Sequence, residues 1–136
     1  MDMASKKDVL QLIQQNISFI LVGSTHPGNI GAAARAMKNM GIHQMGLVSP
    51  KEFPHEKAFF RAKAATDVLE KAVIYKSLKE AISETKLVIG TSARNRKVPW
   101  PIVSPSEAAE EIVSFSKTSE TKTAVVFGRA DRGLTN

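Results

Sequence analysis

Residues Phe19 to Pro50 constrain the fold more than any other stretch of the chain. Four adjacent apolar residues, Phe19-Ile20-Leu21-Val22, run into a loop, Gly23-Ser24-Thr25-His26-Pro27-Gly28. An amphipathic stretch from Asn29 to Met40 follows and meets Gly41, and a second apolar run, Met45 to Val48, stops at Ser49-Pro50. Short apolar runs bounded by turn formers suit strands covered on both faces. Ile30, Ala33, Ala34 and Met37 recur at helical spacing, so one face of the intervening segment can lie on a sheet. Pro27 and Gly28 are expected to stop the strand, and Gly41 fits the left-handed position that ends many helices. The unit reads as a βαβ crossover, with polar groups where strand hands over to helix. In open α/β sheets that handover is where ligands bind.

The same alternation continues. Asp8 to Gln15 reads as a short leading helix. Lys51 to Lys63 is basic and aromatic. Thr66 to Lys71 looks helical, and Ala72 to Tyr75 reads as a strand. Ser77-Leu78-Lys79-Glu80 matches a capping box, with Glu80 reaching back to the cap and a helix running to about Thr85. Leu87 to Gly90 is a further strand, followed by a polar loop from Thr91 to Val103. Ser104-Pro105-Ser106-Glu107 is a second capping box with proline at the first helical position, opening a helix to about Phe115. Thr123 to Phe127 is the last strand. The fold class expected is α/β, a mainly parallel sheet with helices on both faces and right-handed crossovers. Loops after Val22, Gly90 and Phe127 then share one edge, where Thr25, Asn29, Arg35, Thr91, Arg94 and Gly128 can cluster.

A chain of 136 residues is one domain by size. Nineteen Lys and Arg against thirteen Asp and Glu give a net charge of +6. That balance accommodates a polyanionic partner, or simply a well-solvated surface. The absence of cysteine excludes disulfides, thiolate metal sites and a cysteine nucleophile together. It fits a reducing compartment. Met1 to Asp8 is too polar for a secretory h-region, and no apolar run approaches membrane-spanning length. A cytoplasmic location with no membrane partner is the expectation.

Single motifs carry two readings each. Gly28-Asn29-Ile30-Gly31 at a helix start offers backbone N–H groups to an anion, or is only a tight turn with a close-packed helix. Asn29 is a hydrogen-bonding site residue or a helix cap. Arg35 is a surface arginine, or a guanidinium reaching past flanking alanines toward the polar edge. Thr91 and Ser92 either meet a ligand's polar groups or cap their own loop. Arg94, Arg96 and Lys97 form a basic loop able to touch RNA phosphates. Trp100 either stacks on a base or packs against the domain. His26, His43 and His55 have no metal-binding spacing, so no metal site is expected.

The motif series strongly resembles the SPOUT (trefoil-knot) RNA 2′-O-methyltransferases, within them the TrmJ-like branch. The matching residues are Pro27-Gly28-Asn29-Ile30-Gly31, Ala34-Arg35, Lys38-Asn39-Met40-Gly41, Thr91-Ser92-Ala93-Arg94, Phe127-Gly128-Arg129 and Gly133-Leu134-Thr135-Asn136. They fall in the family's order over nearly the whole chain. The resemblance implies an S-adenosyl-L-methionine-dependent ribose 2′-O-methyltransferase acting on RNA, with tRNA the first candidate. It implies Arg35 and Asn29 as catalytic, Thr91, Ser92 and Gly128 beside the cofactor, and Arg94, Arg96 and Lys97 on RNA. It also implies a homodimer. Two departures stand out. The family carries glutamate where this chain has Ala130, and it continues past Asn136 with the segment that completes the knot, much of the cofactor pocket and the dimer face. Residues 1–136 are therefore expected to be one SPOUT-like domain, incomplete at its C-terminus and inactive or weak as it stands.

Three readings follow. One is the methyltransferase. The second is a non-catalytic RNA-binding α/β domain derived from the same family. The third is an unrelated α/β module binding a nucleotide or a protein. Methyl transfer from a sulfonium needs positioning rather than a metal or a covalent intermediate, so a sequence without a nucleophile or acid–base dyad is compatible with the first.

Overall fold

A computed structural model of the chain describes residues 6–24, 26–91, 104–115 and 122–128. Five parallel strands form one sheet: β1 (Ile17–Val22), β2 (Gln44–Val48), β3 (Val73–Tyr75), β4 (Leu87–Gly90) and β5 (Thr123–Phe127), in the order β3-β2-β1-β5-β4. The helices are α1 (Lys6–Gln15), α2 (Pro27–Asn39), α3 (Glu56–Ala62), α4 (Thr66–Glu70), α5 (Leu78–Ala81) and α6 (Pro105–Phe115), with a 3-10 turn at Lys63–Ala65 joining α3 to α4. The α/β class and the parallel sheet expected from the alternating pattern are therefore observed.

The layers follow from the order of the strands. The crossovers β1 to β2, β2 to β3 and β4 to β5 all step across the sheet in one direction, whereas β3 to β4 steps back in the other. If all crossovers share one hand, the helices of the first group lie on one face and α5 on the other. The packing agrees. Ile17, Leu21, Met45, Leu47 and Val125 form a core with Ile13 of α1, Ile30, Ala34 and Met37 of α2, Ala58 and Ala62 of α3, and Val68 and Leu69 of α4; Ile112 of α6 packs against its margin. Alternate strand residues, Ile20, Val48, Ala124 and Val126, face Leu78, Ala81 and Ile82 on the opposite side. The expectation that the sheet is buried on both faces holds for the centre only. Val73 and Val88, on the edge strands, stay exposed, because α5 is too short to cover them.

The element boundaries show what local chemistry decides. The strand β1 ends after Val22, as expected, but the residue that stops it is Gly23 rather than Pro27-Gly28. Gly23 takes a left-handed φ of 64° while its N–H still donates to the Val48 carbonyl at 2.8 Å. Pro27 instead opens α2, two residues ahead of the expected start at Asn29, at the position where a missing N–H costs nothing. The N-cap is therefore His26, whose side chain makes no capping bond, and Asn29 is not a cap. Its helix ends as expected, with Gly41 at φ 74°. Ser104 and Glu107 make the full reciprocal capping box, at 2.8 and 3.1 Å. The Ser77 box is looser: Ser77 accepts from the Glu80 N–H, but Glu80 accepts from Lys76, one residue before the cap. That helix stops at Ala81, short of Thr85. The stretch Lys51 to Lys63, read only as basic and aromatic, contains α3.

Candidate active site

The register of the strands fixes the edge where a site can form. Leu21 of β1 pairs with Phe127 of β5, and Val126 of β5 with Gly90 of β4. The chain segments that leave β1, β5 and β4 at Gly23, Gly128 and Thr91 therefore emerge side by side. In α/β sheets ligands bind in the crevice at the carboxyl ends of the strands, which here are the ends of β1, β5 and β4.

Thr91 sits at this edge, half-buried. Both its N–H and its hydroxyl donate to the Val126 carbonyl, at 2.9 and 3.1 Å. The hydroxyl proton is thus spent on the neighbouring strand, and what Thr91 offers a ligand is its acceptor lone pairs. Gly128 follows β5, also half-buried. Asn29 lies in the first turn of α2, exposed. These three share one edge of the sheet. Ser92, Arg94, Arg96 and Lys97, together with Thr25, Trp100 and Ala130, lie outside the described residues.

Arg35 is exposed on α2. It is seven residues beyond Gly28 and four beyond Gly31, so all three fall on one stripe of the helix. Side chains on a helix lean toward its N-terminus, which directs Arg35 toward the crevice end. Its guanidinium makes no ion pair: among the described residues the salt bridge is Lys38 to Asp67, at 3.0 Å. That bridge holds the Asp67 carboxyl below its ordinary value.

The stripe is also where α3 docks. A Cβ placed on Gly31 would stand 2.1 Å from the Ala58 carbonyl oxygen and 2.9 Å from the Arg61 Cβ. Only a glycine permits this approach, so α2 and α3 are locked in contact beside the crevice. A Cβ placed on Gly28 would meet the Arg61 guanidinium at 3.5 Å. Arg61 therefore stands over the start of α2, next to Asn29. Arg61 lies within the stretch Lys51 to Lys63, whose sequence marks it only as basic and aromatic. The small-residue spacing Gly28, Gly31 and Ala58, Ala62 is the signal that places it at the start of α2.

Comparison with known proteins decides the family. The model of the SpoU rRNA methylase family matches residues 16–136. The chain belongs to the SpoU rRNA methylase family. Similar chains include the tRNA (cytidine/uridine/adenosine-2′-O-)-methyltransferase TrmJ of Pseudomonas aeruginosa, 49% identical over 120 residues, covering 88% of this chain and 46% of the relative. A probable methyltransferase from Bordetella pertussis superposes with a TM-score of 0.85 at 33% identity, covering 93% of this chain and 76% of the other. The SpoU methyltransferase AviRb from Streptomyces viridochromogenes, solved in complex with the cofactor AdoMet, shares the fold at a TM-score of 0.59 and 17% identity, over 90% of this chain and 46% of that one. The chain spans about half the length of the curated relatives it matches. No helix among the described residues is long and apolar enough to cross a membrane, and no group of side chains among them could hold a metal ion.

Proposed function

We propose that the chain is an S-adenosyl-L-methionine-dependent ribose 2′-O-methyltransferase acting on tRNA in the cytoplasm. The observation that carries this reading is the 49% identity to a protein named for that reaction on tRNA cytidine, uridine and adenosine. The crevice is compatible with the cofactor. It offers the acceptor lone pairs of Thr91, while Thr91 and Gly128 bring no bulky side chain to it. Thr91, Ser92 and Gly128 are the residues proposed to hold it, and Arg94, Arg96 and Lys97 to contact RNA phosphates. When bound, the cofactor supplies a methyl group already activated on a sulfonium.

The work left to the protein is to orient the ribose hydroxyl and to ease its proton away. Arg35 is proposed to grip a phosphate beside the reacting ribose and to stabilise the alkoxide as it forms. A guanidinium titrates above about 12, so it is a poor proton acceptor. The proton then leaves to solvent or to a neighbouring phosphate oxygen. Asn29, exposed in the first turn of α2, is proposed to hold the ribose or its phosphate by hydrogen bonds.

Single-turnover transfer of a labelled methyl group, with the chain in excess over an unmodified tRNA transcript, tests the assignment. Losing a charge-assisted bidentate contact in the transition state is expected to cost on the order of 100-fold in rate or more for Arg35→Ala. Arg35→Lys should recover little, because lysine lacks the fork. Full activity in Arg35→Lys would remove the bidentate role. Methylation on a base rather than on the 2′ oxygen would remove the reaction assigned.

A further inference from the structure

Two adjacent phenylalanines on α3 meet opposite fates. Phe59 turns inward and stacks on Phe53 with ring centroids 6.2 Å apart, at the margin of the main core. Phe60 turns outward and is 72% exposed, the most exposed of the large apolar side chains described. A solvated phenyl ring contributes nothing to the core. The side chains around it are cationic. Lys57 and Arg61 lie three residues before and one after it, so Lys57, Phe60 and Arg61 share the outer surface of the helix. Lys63 places its ammonium 4.7 Å from the Phe60 ring centroid. Lys57, Arg61 and Lys63 are all exposed, and none forms an ion pair with a carboxylate among the described residues. Glu56 is the one acidic residue of α3. The inner surface of the same helix, Ala58 and Ala62, is fully buried, and the Gly31 contact fixes its position against α2.

We propose that the outer surface of α3 is an RNA-contact surface, in which Phe60 stacks an unpaired base while Lys57, Arg61 and Lys63 take the flanking phosphates. The inference rests on the assignment of RNA as substrate and extends it to a surface outside the crevice. Base–aromatic stacking between cations is how single-stranded nucleic acid is held without base-specific hydrogen bonds. With Lys63 at the ring, a base stacks on the part that remains open. Arg61 stands at Gly28, the first turn of α2, so a strand lying on Phe60 is carried on toward Asn29 and the crevice. An unpaired base beside the target favours loop RNA over duplex.

The test measures affinity of the 136-residue chain for the unmodified tRNA transcript over a salt series, alongside single-turnover methyl transfer. Phe60→Ala is expected to weaken binding roughly 5- to 150-fold, the range of one lost stacking contact, and Phe60→Trp to restore it. Arg61→Ala keeps the Cβ that packs near Gly31 and should reduce the slope of log affinity against log salt by about 0.7 to 1. Circular dichroism and the urea midpoint should match the wild type for both. Unchanged affinity and salt slope in both variants would overturn the inference while leaving the methyltransferase assignment in place. Binding of the wild-type chain to phosphatidylserine vesicles with no binding to tRNA would overturn both the inference and the assignment of tRNA as substrate. The opposite failure is distinct: binding that depends on Phe60 and Arg61, with no methyl transferred by any variant, supports this surface and counts against the reaction.

Discussion

One face of the sheet lies under α1, α2, α3 and α4, the other under α5, which is little more than a single turn. On the first face Ile30, Ala34, Met37, Leu47, Ala58 and Ala62 have no solvent exposure at all. On the second, the core is four buried strand residues with Val22, Tyr75, Leu78, Ala81 and Ile82 only partly buried against them, and the edge valines look into water. The helices that carry Asn29, Arg35 and Arg61 all belong to the first face. A site needs its groups held within a fraction of an ångström, which side chains on well-packed elements supply and loops do not. The thin face carries none of the described candidate side chains, and its looseness costs the proposed chemistry nothing.

The largest effects expected follow from that contrast. Ile30→Ala and Leu47→Ala should each destabilise by about 2–5 kcal/mol, the transfer loss of a buried aliphatic plus its cavity. Val88→Ala, on an exposed edge of the second face, should stay within about 0.5 kcal/mol. Urea midpoints at constant m-value read all three. A loss at Val88 equal to that at Leu47 would break the comparison, because it would mean that something covers the second face in solution.

A middle-sized effect probes the seam between α2 and α3. Gly31→Ala puts a methyl group 2.1 Å from a backbone carbonyl oxygen, and backbone cannot swing aside as a flexible side chain does. Helix propensity alone favours alanine by about 1 kcal/mol, so the sign of the change is informative. Overpacking should win, with a net loss of about 1–3 kcal/mol. Methyl transfer should fall further than stability explains, since α3 must slide off the α2 stripe that carries Arg35 and take Arg61 with it. Stabilisation by Gly31→Ala would show that the seam is loose.

Much of this arrangement is legible without coordinates, and the rest is not for identifiable reasons. Strands β1, β2, β4 and β5 announce themselves because short apolar runs between turn formers have few other fates. The Ser104 box is local chemistry, so four residues suffice to read it. The α2 start was misplaced by two residues because Asn29 is a good cap in isolation, whereas Pro27 takes the first position through its fixed φ. The helix at α5 was overextended because its partners are one thin face of the sheet, and no periodicity reports how much of a face is covered. The segment α3 escaped because its buried stripe is two alanines, which carry almost no hydrophobic signal. Arg61 escaped with it: its place over Gly28 depends on glycines in a different helix. Thr91 was recognised as a site residue, but the commitment of its hydroxyl to Val126 is a tertiary fact.

The smallest effect concerns the charges that trim the first face. Asp67 accepts from the Lys38 ammonium at 3.0 Å and ties α4 to α2, while Glu107 accepts from the Ser104 N–H at the start of α6. The lysine hydrogen bond lowers the Asp67 carboxyl below its ordinary 3.8, and the hydrogen bonds of the Ser104 backbone and hydroxyl lower Glu107 below its ordinary 4.5. Both folded values lie under the unfolded ones. Each group therefore adds stability that is complete above the unfolded value and is lost as pH falls through the folded value. Both are solvated, so the increments are small. Thermal midpoints should hold from pH 7 to about 5 and decline below about 4.5, Glu107 contributing first on descent and Asp67 later. Asp67→Asn and Glu107→Gln should each flatten that decline, because neither amide titrates. Asp67→Asn leaves the Lys38 ammonium its second partner, the Ala64 carbonyl at 3.1 Å, so its cost at pH 7 should be slight. An acid decline equally steep in the double variant would assign the acid sensitivity to other carboxylates and leave the first face held by packing alone.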